Sequence, residues 1–179
     1  MLSTKLIYPL LAACVVTVAI VQNGAVNSAN PSHVERLIKT NKCPKCDLRG
    51  ANLRGANLSN SFLQGADLSM ANLTGAILIN ANLSDVILVG AKLVNADFTG
   101  IKCNYVGFRI NFSSADLSGA KFIDSSCACG DFRGANLTNV DFRGADLSCA
   151  NLSSANTTGA DFRGAHLVNT IMPDGSRHE

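Results

Sequence analysis

Cysteine is the residue type in this chain best placed to do chemistry. Cys43-Pro44-Lys45-Cys46 is a CxxC pair, and Cys129 and Cys149 stand 20 residues apart. A CxxC pair can be a redox dithiol, half of a zinc site or a structural bridge. No second pair is spaced to complete a zinc site, and the motif lies outside any βαβ pattern. In an oxidising compartment the natural state of such a pair is a disulfide. The histidines, His33, His166 and His178, are scattered. Asp141-Phe142-Arg143 recurs as Asp161-Phe162-Arg163, a spacing that predicts small surface charge clusters, each contributing little. No Gly-rich loop stands between a strand and a helix to hold phosphate. These residues predict no cofactor, no metal and no catalytic group.

The elements that would position the cysteines follow an unusual beat. From Cys46 the chain reads in fives, CDLRG, ANLRG, ANLSN and onward, with Leu or Phe at the centre of each unit. Centres include Leu53, Leu73, Leu93, Phe122, Phe142 and Phe162, and a small residue such as Ala51 or Ala71 sits two before most of them. Neither a helix, with period 3.6, nor a strand, with period 2, recurs at five. A chain that turns a corner every five residues can send one large and one small side chain inward each time. Four such sides make a square coil of about 20 residues, and successive coils pair backbone to backbone at about 4.8 Å. The other positions of each unit face water, which suits their Asn, Asp, Arg, Ser and Thr.

Twenty-residue coils predict columns. Phe122, Phe142 and Phe162 should stack, as should Phe112 and Phe132. Cys129 and Cys149 share a corner column, with a Cα spacing suited to a disulfide but wide for its Cβ atoms. Cys103 and Cys127 fall on centres and read as buried thiols standing in for Leu. Between Cys103 and Phe112 the beat weakens and slips by one residue. Tyr105, Arg109 and Asn111 at this interruption are the candidates for a binding surface.

The A-(D/N)-L-x-x pattern over roughly residues 46–172 resembles the pentapeptide-repeat family. The resemblance implies an all-β fold, a right-handed quadrilateral β-helix, here preceded by a short capping α-helix. Members with a signal, cysteines and such a helix look like those cyanobacteria export to the periplasm or thylakoid lumen. Some family members bind gyrase as DNA mimics.

The flanking segments complete the division of the chain. Residues 1–29 have a basic start at Lys5, an apolar core over Leu6–Val21 and a small-residue exit, the marks of a signal peptide cut near Ala29, with Ala25 as the alternative. The apolar run is shorter than the roughly 20 residues a spanning helix needs. No stable membrane insertion is expected once it is removed; an uncut anchor, or lipidation at Cys14, is the other reading. Residues 30–45 predict a capping helix and CxxC linker, with Ser32 and Glu35 as a capping box and Val34, Leu37 and Ile38 on one face. Residues 173–179 form a tail. The formal charge of +2 carries no clustered basic face for nucleic acid and no dense acidic one for DNA mimicry. The sequence therefore points to a non-enzymatic structural or protein-interaction module in an exported compartment, with an unknown protein partner. A gyrase binder and a thiol–disulfide protein acting through Cys43 and Cys46 are the alternatives.

Overall fold

The computed structural model describes residues 29–103 and 109–179. The signal segment lies outside them apart from Ala29, as does Tyr105. The described residues form one short helix followed by a coil.

The coil is built from single parallel β-bridges rather than extended strands. Asn52 bridges Asn72, Asn72 bridges Lys92, and Asp47 bridges Asp67, each 20 residues on. The chain therefore returns above itself after four five-residue sides. Each side ends in a turn closed by a bond to the centre residue: Ala71 N–H donates to the Leu68 carbonyl at 3.0 Å. The residue before each small position has a positive φ, as in Gly75 at 67° and Asn80 at 56°. This is the geometry of a type II turn, which explains why Gly and Asn dominate that position. The Asp or Asn before each centre also has a local task. Its side chain accepts from the backbone two residues on, as Asp67 Oδ1 does from Ser69 N at 2.9 Å and Asn72 Oδ1 from Thr74 N at 3.1 Å. That Asx turn steers the chain into its corner.

Both inward positions are buried. Leu53, Leu73, Leu93, Phe122 and Phe142 are fully enclosed, as are Ala71, Ala91 and Ala120. Phe162 departs from the expectation, because it is only half-buried and packs on the core from one side. Among the described residues no further coil lies on the last one, so its centres Phe162 and Leu167 pack on the core while remaining partly open. The tail beyond Met172 folds back beside this end, with Ile171 bridging Arg177 in antiparallel fashion.

The interruption turns out to be a gain of four residues, which shifts a five-residue beat as a loss of one does. Asn82 bridges Lys102 at the normal interval, but Lys102 bridges Ser126 and Ile87 bridges Asn111, each 24 residues on. The Phe ladder therefore continues past the break into the later coils. Phe98 stacks on Phe122 at 4.7 Å, Phe122 on Phe142 at 5.1 Å, and Phe142 on Phe162 at 5.2 Å. Phe112 and Phe132 stack at 4.9 Å.

The helix, α1, spans Pro31–Thr40. Its N-cap is Asn30, whose side chain accepts from Ser32 N, and Pro31 takes the first helical position. The capping box on Ser32 does not form; Glu35 instead pairs with Lys39 one turn on. Val34 and Leu37 are buried over the first coil, whereas Ile38 faces outward. Asn41 ends the helix in the left-handed region, its N–H returning to the Leu37 carbonyl. The coil begins at once: Lys42 bridges Phe62, so the CxxC segment forms a side of the first coil rather than a linker before it.

Candidate functional site

A groove lies in the wall beside the four-residue gain. It measures about 280 Å³ and is lined by Arg109, Ile110, Asn111, Cys129, Gly130, Asp131, Arg133, Cys149 and Asn151. Arg109 and Asn111, two of the sequence candidates, lie on its upper edge. The other polar groups come from the next two coils, directly below in the same columns: Asn111 bridges Asp131, and Asp131 bridges Asn151. The sequence reading missed these residues, although column arithmetic below the break would have found them.

The floor of the groove depends on a size exchange. Ile110 occupies an inward slot that most often holds Ala, although Val86, Ile101 and Val140 also fill it. Gly130 stands in the same slot one coil below, and a Cβ there would lie 3.0 Å from the Cys127 carbonyl oxygen and 3.0 Å from Phe132 Cε2. The missing side chain makes room for Ile110 Cγ2, which approaches that point to 3.4 Å.

The charges of the groove are unevenly satisfied. Arg133 grips Asp131 through Nε at 2.9 Å and Nη2 at 2.6 Å. Burial pushes the Asp131 carboxyl upward, but the Arg133 bonds prevail and hold it below the usual carboxylate range. Arg109 is exposed, and among the described residues no carboxylate pairs with it. The groove thus presents one uncompensated guanidinium beside the amides of Asn111 and Asn151. Such a set can receive a carboxylate or a row of peptide carbonyls.

The cysteine columns are placed in two different settings. Cys43 and Cys46 have Cα atoms 5.4 Å apart with their sulfurs at bonding distance, and both are buried under α1. Arg36 Nη2 donates to Cys46 Sγ at 2.6 Å, and the Cys43 sulfur faces the His33 carbonyl at 3.2 Å. Cys129 and Cys149 have Cα atoms 4.5 Å apart, again with sulfurs at bonding distance, and they border the groove with Cys149 exposed. Among the described residues, no cluster of His, Cys, Asp and Glu could hold a metal ion. No helix among them is long and apolar enough to cross a membrane.

The repeating surface pairs are local. Arg143 binds Asp141 at 2.7 Å and approaches Asp161 of the next coil at 3.9 Å, and Arg163 binds Asp161 at 2.6 Å. His166 lies on an outward position, bridging Asp146 through its backbone.

A family model described as pentapeptide repeats matches the chain in eight copies, over residues 42–69, 66–102, 115–148 and 145–174. The uncovered stretch between the second and third segments contains the four-residue gain. No curated protein matches the chain. Among solved structures, HetL from the cyanobacterium Nostoc sp. strain PCC 7120, a pentapeptide repeat protein involved in heterocyst differentiation regulation, is 28% identical. That match covers 73% of this chain and 76% of HetL, with a TM-score of 0.47. QnrB1, a plasmid-mediated fluoroquinolone resistance protein, is 22% identical over 66% of each chain, with a TM-score of 0.46. A pentapeptide repeat protein from the Arabidopsis thaliana thylakoid lumen is 24% identical over 70% of this chain and 71% of its own, with a TM-score of 0.33.

Proposed function

This chain belongs to the pentapeptide-repeat family, and we propose that it is a non-enzymatic protein-interaction module of an exported compartment, engaging an acidic partner segment at the groove beside Arg109. We read its coil as a right-handed quadrilateral β-helix, the form the family resemblance implies. The observation that carries the proposal is the break itself. A groove lies beside the four-residue gain, and among the described residues no carboxylate pairs with the guanidinium at its edge. A rigid coil of stacked bridges suits such a role, because little order has to be created when a partner docks.

The exported setting rests on the amino-terminal signal pattern and on cysteine usage. Two pairs with sulfurs at bonding distance suit an oxidising compartment. The gyrase-binding alternative needs a dense acidic face, whereas Asp47, Asp131, Asp141 and Asp161 are each held by an arginine two residues on. The redox alternative needs an accessible CxxC, whereas Cys43 and Cys46 lie beneath α1.

The test is affinity capture from the exported fraction with the wild-type chain, Arg109→Glu and the remote control Arg54→Glu. A partner held by the wild type and by Arg54→Glu, but lost from Arg109→Glu, supports the proposal. Equal capture by all three removes the groove from the mechanism.

A further inference from the structure

We propose that Cys103 and Cys127 are a third cross-link site, oxidised while the chain folds and shielded once its coils have closed. Both residues are buried, and their sulfurs lie 2.9 Å apart, closer than two non-bonded sulfurs pack. Their backbones are fixed in register, since Lys102 bridges Ser126 and Cys103 N–H donates to the Ser126 carbonyl at 2.9 Å. The two cysteines adjoin in one inward column. Above them stand Leu63 and Leu83, and below them Leu147, so any of these sites could have held leucine. Cysteine instead fills the two sites that face each other across the four-residue gain.

The oxidant is a disulfide of the surrounding compartment, either a small-molecule disulfide such as oxidised glutathione or that of an oxidoreductase. One cysteine thiolate attacks a sulfur of this disulfide, forming a mixed disulfide and releasing one oxidant thiolate. The second cysteine thiolate then attacks the protein sulfur of the mixed disulfide and releases the other. Two protein thiols are oxidised, one external disulfide is reduced to two thiols, and the two protons pass to the released thiolates.

The closed coil restrains this exchange. Burial, followed by the Cys127 contact, pushes the Cys103 thiol well above its ordinary range, and the thiolate is the attacking species. External disulfides reach neither sulfur in the closed coil. The folded molecule therefore keeps the redox state in which it folded. Cys149, exposed at the groove, lacks this protection. Once formed, the bridge would tie the segment leading to Arg109 to the coil beneath it. The oxidant supply in vivo rests on the exported reading, but the chemistry is testable in a defined buffer.

In the experiment, the full-length Cys129→Ser/Cys149→Ser chain is reduced, unfolded, refolded in oxidised glutathione, then alkylated in denaturant so that buried thiols are reached, and digested with trypsin without reduction. The expected product is the peptide beginning at Cys103 joined to the peptide carrying Cys127. The same chain folded first under reductant and then moved to that buffer should form the link at least about tenfold more slowly. Finding Cys103 and Cys127 alkylated after oxidative refolding, with Cys43 and Cys46 joined, overturns the cross-link. Equal rates overturn the shielding. Should the double variant fail to fold, intact-mass counting decides the point. The oxidatively refolded wild type, with its seven cysteines and alkylated in denaturant, should then show one alkylated residue, Cys14, and Cys103→Ser should show two. Three in the wild type would overturn the cross-link equally.

Discussion

Gly130→Ala should lower stability, although alanine usually improves a glycine site. Gly130 is outside the left-handed region, so its backbone accepts alanine, and the smaller unfolded-state entropy alone would stabilise by about 0.4–1 kcal/mol. Packing opposes this gain. The new Cβ would meet the Cys127 carbonyl oxygen at 3.0 Å, Phe132 Cε2 at 3.0 Å and Ile110 Cγ2 at 3.4 Å. The carbonyl is held by the turn bond it accepts from Gly130 N–H at 3.0 Å and cannot retreat without opening that turn. The Phe132 ring is held between the Phe112 stack and edge contacts to Phe122 and Phe142 at 6.0 and 5.9 Å. Overpacking of this kind costs about 1–3 kcal/mol, and the middle of that range less the entropic gain leaves a net loss of about 1–2 kcal/mol. For a chain of this size that lowers Tm by about 2–8 °C. Equilibrium unfolding in urea should show a lower midpoint with an unchanged slope. The same substitution in an Ile110→Ala background should cost at least about 0.5 kcal/mol less, because one of the three contacts is gone. A Gly130→Ala protein that melts higher than wild type would refute the size exchange between the two coils.

Two further outcomes follow from burial and charge. Phe142→Ala should cost about 3–5 kcal/mol, and Phe162→Ala clearly less because its ring is half-exposed at the coil's end; equal losses in thermal melts would contradict the open end. The Arg163 side chain and backbone hold the Asp161 carboxyl down to about 2 from an ordinary 3.8. The folded value is the lower one, so this contribution is complete above about pH 4 and is lost as pH falls through about 2. Titration of the carboxyl carbon by NMR checks it: Arg163→Gln should return Asp161 toward 3.8, and a wild-type value already there would contradict the pairing.

The inward pattern was legible because burial in a five-residue coil is periodic. Leu53, Leu73 and Phe142 announce themselves by spacing alone, and so does the shared column of Cys129 and Cys149. Features set by local competition were harder to read. Ser32 looks as good a cap as Asn30, but Pro31 suits the first helical position, so the cap falls one residue before it. Asx residues looked merely water-facing, yet Asp67 and its counterparts bond the turn that follows. The break hid the most. A gain of four and a loss of one leave the same phase, and only the bridges decide between them. With that choice open, the stacking of Phe98 on Phe122 was out of reach. So was the role of Gly130, which is intelligible only once Ile110 is known to lie above it.

The bridges on either side of the break fix the register independently of what lies between. Lys102 is pinned to Ser126 and Asn111 to Asp131, so the columns resume in step once the chain re-enters the wall. The position behaves like a socket in a threaded rod. Descendants of this sequence could lengthen or replace the segment there, acquiring new recognition without retuning any side chain of the shaft. Elsewhere in the coil, an insertion of one residue would turn every later centre outward. Change in this molecule is therefore channelled toward a single place, and a protein engineer seeking to graft a foreign loop should begin between Cys103 and Arg109.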